Sequence, residues 1–160
     1  LAIPPTSKTL FTAVRFGNVL NSRGSVVPLF LRQIDQGGPI TVTDEAMTRY
    51  FMGLQEAVTL IIHAASLTSG QDLFILQMGA PLKIADLARK LVRMRGLGVD
   101  VDIPLVFIGQ RPGEKLVEQL LEASETPIPT NHPHIFKVQK SGMKKLLDHA
   151  LQKINPGITF

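Results

Sequence analysis

The chain has 160 residues, of which 44% are hydrophobic and 19% charged, and a formal net charge of +4 at pH 7. This length is enough for one domain with a real core, and the composition excludes an intrinsically disordered chain. Cysteine is absent, which excludes disulfides, thiolate metal sites and cysteine nucleophiles and fits a cytoplasmic location. No dense stripe of Lys and Arg is present, and with one Tyr and no Trp there is little surface for stacking on bases, so we expect no nucleic-acid partner.

Five strands are predicted from apolar, β-branched runs at residues 10–19, 40–43, 73–78, 103–108 and 135–138. Helices are predicted where apolar residues recur at helical spacing. The first begins after Ser25 as N-cap, and the second presents residues 57, 58, 61, 62 and 65 on one face. The third opens at Pro81 and stops at Gly96, and the last two cover residues 116–123 and 143–154. The three prolines within residues 126–133 predict a loop.

The alternation of strands with helices predicts an α/β fold with parallel pairing. The strands at 10–19 and 73–78 lack polar alternation, so we expect cover on both of their faces and neighbours on both of their edges. The chain begins with Leu, and a short segment containing two prolines leads directly into the first strand. We therefore expect a piece of a longer protein, whose own membrane anchoring the sequence leaves open. No apolar run approaches the roughly 20 residues that span a bilayer.

Residues 109–116 carry the most informative pattern, Gly-Gln-Arg-Pro-Gly-Glu-Lys-Leu, directly after the predicted strand 103–108. Loops at the carboxyl ends of strands bind ligands in α/β proteins. Arg111 can donate two parallel hydrogen bonds to a phosphate, and Glu114 can accept from a pair of hydroxyls. The pattern is equally compatible with an ordinary Pro-Gly turn.

Two further positions are candidates for ligand contact. Asn18 ends an apolar run, where its amide can donate to a phosphate oxygen or simply form a turn beside Gly17. Arg49 lies among apolar residues, where an unpaired cation is costly, so it needs either a ligand phosphate or a carboxylate such as Glu45 or Glu56.

Other residue patterns argue against metal, nucleophile and cofactor sites. His132 and His134 form an H-x-H pair with no further ligand nearby in sequence, so we expect a loop without metal. The serines lack a nucleophile-elbow context. The glycines are scattered, and none forms the G-x-G-x-x-G fingerprint of a dinucleotide site, so we expect this chain alone to bind no cofactor.

Taken together, four matches resemble one family, in this order along the chain: residues 14–30, residues 38–43 with 47–51, residues 78–88, and residues 109–116. Over residues 11–121 the chain resembles the C-terminal half of bacterial polysaccharide-biosynthesis nucleotide-sugar dehydratases. These form the UDP-N-acetylglucosamine 4,6-dehydratase group of the extended short-chain dehydrogenase/reductase superfamily. The resemblance implies the C-terminal part of a Rossmann-like fold with the small substrate-binding subdomain. Residues 1–160 would then be one substrate-binding domain that lacks the NAD(P)-binding half.

The resemblance also implies site residues for a UDP-sugar. Asn18 matches an asparagine on the substrate diphosphate, and Arg49 and Arg111 match the two arginines that clamp it. Glu114 matches the acidic residue on the ribose hydroxyls. Val27 and Pro28 match the backbone segment beside the uracil. Phe16 matches a position near the nicotinamide.

In that family the reaction uses NAD(P) to oxidise C4, eliminates water across C5 and C6, and returns the hydride. The resemblance places the catalytic residues of this reaction before residue 1, so none is assigned here and the chain alone is expected to be inactive. Two alternatives stay open: half of a UDP-sugar 4-epimerase or reductase, and a stand-alone, non-catalytic interaction module. We also expect a homo-oligomer or swapped dimer formed through exposed sheet edges.

Overall fold

The computed structural model describes residues 10–22, 24–70 and 72–140. Within these ranges the helices are α1 Val26–Asp35, α2 Leu54–Leu67 and α3 Ile84–Met94. The strands are β1 Thr12–Arg15, β2 Asn18–Val19, β3 Ile40–Val42, β4 Thr48–Arg49, β5 Phe51–Met52, β6 Asp72–Leu76, β7 Leu82–Lys83, β8 Leu105–Phe107, β9 Glu125–Pro129 and β10 Ile135–Lys140.

A four-stranded sheet in the order β1-β6-β10-β9 forms the larger of two parts. β1 pairs with β6 in parallel, and β10 pairs with β6 and β9 in antiparallel fashion. Helix α2 covers one face of this sheet because side chains from both pack into one buried cluster: Met52, Ala57, Leu60, Ala64, Phe74, Leu76 and Ile135. β6 has neighbours on both edges, as expected, whereas β1 pairs only with β6 among the described residues.

The smaller part has its own core between α1 and α3. Phe30 and Ile34 from α1, and Leu87 and Leu91 from α3, pack on the short parallel pair β3–β8. β2 pairs with β5, and β4 pairs with β7. Two separate cores on one chain agree with an α/β fold that carries a small subdomain.

The predicted strand 10–19 is wrong as a single element, because it divides into β1 and β2, which belong to different sheets. The division occurs at Gly17. A Cβ atom at this glycine would lie 2.7 Å from the Cβ of Tyr50, so only glycine allows the chain to pass this close. The backbone then leaves β6 and pairs with β5.

The predicted buried face of α2 is rotated relative to the structure. Ala57 is buried as expected, together with Leu60 and Ala64, but Val58 and Ile62 are 46% and 64% exposed. This helix is apolar over more than half of its circumference, so periodicity alone does not select the face that meets the sheet.

Three further predictions fail around the later prolines and loops. Residues 116–123 form no helix: Val117 bridges to Thr48 instead. Residues 125–129, expected to lie largely in a loop, form β9, which tolerates its prolines because it is an edge strand. Pro81 does not open α3, which begins at Ile84 after β7. The predicted strand 135–138 is confirmed as β10, and the predicted helix 143–154 lies outside the described residues.

Candidate functional site

A cavity of about 310 Å³ is lined mostly by residues of the small subdomain. Its walls come from β2, the start of α1, the end of β3, the start of α3 and the loop after β8. Four of the predicted side chains line it together: Asn18, Arg49, Arg111 and Glu114. They come from distant parts of the sequence, so the fold itself assembles the polar side of this cavity.

Arg49 is held in place by its own strand and by the segment that follows the loop 109–114. Its Nη1 donates to the carbonyls of Thr48 at 2.8 Å and Leu116 at 3.2 Å. Its Nη2 lies 3.8 Å from Glu114 Oε1, and the two side chains are 15% and 26% exposed. The protein partner of Arg49 is therefore Glu114.

The two carboxylates considered from sequence as partners of Arg49 are engaged elsewhere. Glu45 lies 3.5 Å from Arg89, and Glu56 accepts from the backbone N–H of Gly53 at the start of α2. Because the Arg49–Glu114 separation exceeds hydrogen-bond length, both groups keep capacity for a ligand.

The loop 109–114 is a turn and also lines the cavity, so both interpretations of its sequence hold together. Gly109 and Gly113 each have φ of +81°, a left-handed conformation that favours glycine. The backbone N–H of Arg111 donates to Glu114 Oε2 at 3.2 Å, and the backbone N–H of Glu114 donates to the Arg111 carbonyl. Within the described chain the Arg111 guanidinium makes no ion pair, which leaves its charge available to an anion.

Asn18 begins β2, and its backbone N–H donates to the Tyr50 carbonyl at 2.8 Å. This bond fixes the backbone while the side chain faces the cavity. Val27 is buried in the core of the small subdomain and Pro28 is exposed, whereas their neighbours Val26 and Leu29 line the cavity. Phe16 packs against the core of the main sheet and does not line this cavity.

The sequence predictions missed Thr41 and Thr43, which also line the cavity. Thr41 is held by Gln33 of α1, whose Nε2 donates to its Oγ1 at 2.8 Å and whose Oε1 accepts from its backbone N–H. The alternation along β3 placed both threonines on one face, but nothing local in the sequence connects that face to Arg49 or Arg111.

The cavity combines charge and apolar surface in a way that suits a phosphorylated ligand. Two guanidinium groups face one carboxylate, so the polar side carries a net positive charge. Phe30, Met47 and Ile84 are among the apolar residues that also line it. Planar guanidinium groups can each bind phosphate oxygens through paired hydrogen bonds, while the apolar wall can accept a flat ring.

An ion pair anchors the segment that follows the site to the main sheet. Arg15 Nη1 donates to Glu125 Oε2 and to the Leu120 carbonyl, both at 2.7 Å. The hydrogen bond that Arg15 donates to Glu125 raises the pKa of Arg15, and the Glu125 side chain is fully buried. The contact fixes the course of the chain after residues 114–118, which line or flank the cavity.

Three histidines of the described ranges form a separate cluster, one on α2 and two in the loop before β10. The His132 ring lies 5.0 Å from that of His63 and 5.9 Å from that of His134, and His134 Nδ1 contacts Gln77 Oε1 at 2.8 Å. In the described ranges no group of three or more His, Asp or Glu side chains has the geometry to hold a metal ion.

No helix in the described ranges is both long enough and apolar enough to cross a bilayer.

The chain matches curated proteins over most of its length but only part of theirs. It is 54% identical over 119 residues to the probable polysaccharide biosynthesis protein EpsC of Bacillus subtilis, covering 74% of this chain and 20% of that protein. It is 56% identical, with the same coverage, to the capsular polysaccharide biosynthesis protein CapD of Staphylococcus aureus. A UDP-glucose 4-epimerase of Rickettsia canadensis is 38% identical over 74% of this chain and 33% of its own. The chain thus spans about a fifth of the length of the first two relatives.

Solved structures share the fold. Pen from Bacillus thuringiensis superposes with a TM-score of 0.72 and 37% identity, covering 86% of this chain and 42% of that one. A UDP-N-acetylglucosamine 4-epimerase from Methanobrevibacter ruminantium superposes with a TM-score of 0.52 and 21% identity, covering 64% and 34%. The mixed α/β fold of this chain thus corresponds to part of the Rossmann-like fold of these neighbours. A family model described as "Polysaccharide biosynthesis protein" matches residues 3–140, and the chain belongs to that family.

Proposed function

We propose that the cavity at Arg49 and Arg111 binds the UDP moiety of a UDP-sugar. The observation that carries the proposal is the convergence of two arginines, one asparagine and one glutamate on a single cavity with an apolar wall. A diphosphate brings two negative charges, which the two guanidinium groups match. Arg111 has no ion pair in the described ranges, so this binding breaks no salt bridge of that residue.

Glu114 takes a second role in this proposal. Its Oε1 lies 3.8 Å from Arg49, and it can accept hydrogen bonds from ribose hydroxyls while it stays near the cation. The uracil then lies against the start of α1, where Val26 and Leu29 line the cavity and the backbone of Val27 and Pro28 runs beside it.

For the complete protein we propose a nucleotide-sugar 4,6-dehydratase that acts in surface polysaccharide biosynthesis. This chain is its substrate-binding domain, residues 1–160, and is catalytically incomplete alone. Binding energy from the nucleotide positions the sugar for chemistry carried by other residues. Membership of a polysaccharide biosynthesis family that includes a capsular protein among its close relatives supports this role.

NAD(P) is the cofactor in this proposal, and it would be held by the parent protein. The residues of this chain do not fit it by themselves. The sequence lacks the glycine-rich fingerprint, and Phe16, the position matched to the nicotinamide, packs on the core of the main sheet and does not line the cavity. We therefore assign no step of hydride transfer to this chain.

A UDP-sugar 4-epimerase is the second candidate for the complete protein, because the Rickettsia relative named for that activity is 38% identical. Both candidates share the UDP cavity and differ in catalytic residues outside this chain. A stand-alone interaction module is the third, and failure of UDP to bind would favour it.

We further propose a cytoplasmic location and self-association through β1. In the described ranges this strand has a neighbour on one edge only, and the adjacent Leu10 and Phe11 are exposed. An open apolar edge can pair with a second copy. Light scattering that shows a monomer over a wide concentration range would contradict the proposal.

Calorimetric titration with UDP tests the cavity. We expect saturable binding that Arg111→Ala weakens by about 1–3 kcal/mol, as for a hydrogen bond to a charged group. Lys115→Ala is the matched control, since this neighbouring exposed cation does not line the cavity. Equal UDP affinity of the wild type and Arg111→Ala would remove Arg111 from the site.

A further inference from the structure

One face of α1 ends at an uncharged polar contact beside the cavity. Val26, Leu29 and Phe30 line the cavity, and Gln33 continues the same helical face by one turn. The amide of Gln33 contacts Thr41 of β3, which also lines the cavity and is partly exposed. The hydroxyl of Thr41 is therefore a candidate for contact with a ligand that lies along α1.

The contact fixes which atom of the Gln33 amide faces which atom of Thr41. The backbone N–H of Thr41 can only donate, so the amide oxygen Oε1 faces it, at 3.2 Å. The amide nitrogen Nε2 then faces Thr41 Oγ1, at 2.8 Å, and because an amide nitrogen can only donate, Oγ1 accepts. Gln33 thus occupies one lone pair of the hydroxyl and leaves its hydrogen free.

The hydroxyl hydrogen of Thr41 has no acceptor in the described ranges, where the one hydrogen bond of Oγ1 is the bond that it accepts from Gln33. Thr43, next on the same face of β3, differs because its Oγ1 donates to Met47 Sδ at 3.0 Å. A polar hydrogen without an acceptor costs free energy once a bound ligand excludes water from it. A ligand that offers an acceptor to Thr41 should therefore bind better than one that offers a donor.

The strand register places Thr41 on the side of the cavity that is remote from the loop 109–114. β3 and β8 run parallel with Thr41 opposite Val106, and the loop follows the end of β8. Thr41 lies roughly 6–7 Å behind Thr43 along the strand, and so farther from the loop. With the diphosphate and the ribose at this loop, the edge of a pyrimidine that is farthest from the ribose faces Thr41. This edge carries the 4-position of the ring.

We propose that Thr41 selects the nucleobase at this site. Its hydroxyl, positioned by Gln33, donates to the 4-carbonyl of uracil and discriminates against cytosine, which carries an amino group there. The inference rests on the proposed function, because it takes the cavity to hold a pyrimidine nucleoside diphosphate. Thr41 contacts the base directly, and Gln33 is a positioning residue that acts through Thr41.

The test compares UDP with CDP by calorimetric titration of the full 160-residue chain. The two ligands share the ribose and the diphosphate, so the ratio of their dissociation constants reports on the base alone. We expect CDP to bind at least about fivefold more weakly than UDP, since CDP leaves a shielded polar hydrogen unpaired. This comparison uses only the wild type, so it does not depend on the folding of any variant.

Variants of Thr41 and Gln33 separate recognition of the base from packing. Thr41→Val removes only the hydroxyl and should reduce the preference for UDP to within about twofold, whereas Thr41→Ser should retain it. Gln33→Glu replaces the donor Nε2 by a charged acceptor that takes the Thr41 hydrogen, so the ratio should shift toward CDP. A purely structural role of Gln33 would not shift the ratio. Thr43→Val is the matched control, because its hydroxyl hydrogen is already donated to Met47, and the ratio should stay at the wild-type value.

The outcomes distinguish this inference from the proposed function. Equal affinities for UDP and CDP in the wild type, with UDP still weakened by Arg111→Ala, would overturn the role of Thr41 and leave the UDP site in place. An unchanged ratio in Thr41→Val would overturn it as well. Absence of saturable UDP binding, or UDP binding that Arg111→Ala does not weaken, would overturn the proposed function and this inference with it.

Discussion

Replacing Arg49 by Ala should weaken both the fold and UDP binding, because this side chain serves both. Its Nη1 donates to the Leu116 and Thr48 carbonyls, and its Nη2 lies 3.8 Å from Glu114. A net hydrogen bond contributes about 0.5–1.5 kcal/mol and a partly exposed ion pair less than about 1 kcal/mol. The expected loss of unfolding free energy is therefore about 1–2 kcal/mol.

Separately, the binding free energy of UDP should weaken by about 1–3 kcal/mol, because the charged hydrogen bond to the diphosphate is missing. Urea unfolding and calorimetry measure the two losses separately. Arg49→Lys should recover much of the stability but less of the binding, since Lys keeps the charge without the planar fork. Arg111→Ala is the contrasting variant, because its side chain forms no ion pair in the described chain and should affect binding alone.

An Arg49→Ala protein whose unfolding free energy and UDP affinity both match the wild type would contradict both roles of Arg49. A stability loss without a loss of UDP affinity would make Arg49 a structural residue only. A comparable stability loss in Arg111→Ala would show that the loop 109–114 depends on that side chain.

Three further predictions concern the fold. Burial opposes ionisation of Asp72, but hydrogen bonds from Lys137, Ser69 and Thr68 outweigh it and lower its pKa to about 2. Because the pKa of Asp72 is higher in the unfolded chain, about 2 kcal/mol of unfolding free energy that is present above pH 4 should be lost as the pH falls toward 2. In urea unfolding, Asp72→Asn should not show this dependence of stability on pH. Glu125→Ala should lower the unfolding free energy measured in urea by about 1.5–3 kcal/mol, since it removes the charged hydrogen bond from Arg15, whose guanidinium stays partly exposed and keeps the Leu120 carbonyl. A cost below about 1 kcal/mol would contradict the assignment. Leu60→Ala should cost about 2–5 kcal/mol, whereas Ile62→Ser should change the melting temperature little, and the opposite order would mean that the other face of α2 is buried.

Much of the α/β architecture could be predicted from periodicity because it depends on local pattern. The α1 and α3 stripes, with Phe30, Ile34 and Leu87 buried, follow directly from helical spacing. The short strands β3, β6 and β10 are confirmed for a similar reason. In α1 and α3 the apolar residues pack on one partner surface, so the local sequence determines the buried face.

The failures arise where a distant contact decides the local structure. Val117 pairs with Thr48 instead of continuing a helix, and the chain leaves β1 at Gly17 because Tyr50 stands against it. The apolar stripe of α2 is too broad for periodicity to choose its buried side. In both contacts, the partner residue lies more than ten residues away in the sequence from the position whose structure it changes.

The candidate site shows the same division. Asn18, Arg49, Arg111 and Glu114 could be proposed from residue chemistry and family resemblance, and the structure brings all four to one cavity. The Arg49–Glu114 contact could not be anticipated, because the candidate partners in sequence were nearer carboxylates. The role of Thr41 could not be predicted, because Gln33 orients it only once α1 has packed on β3.

The most direct test of the UDP site is to map UDP on the isotope-labelled chain by NMR chemical-shift perturbation. We expect saturable shifts at Asn18, at the start of α1 and in the loop 109–114, and small shifts at Phe136 on the main sheet, which does not line the cavity. We also expect Arg111→Ala to abolish or greatly weaken these shifts, and added salt to reduce them. UDP shifts confined to another surface, or unchanged in Arg111→Ala, would contradict the central claim that this cavity is a UDP site.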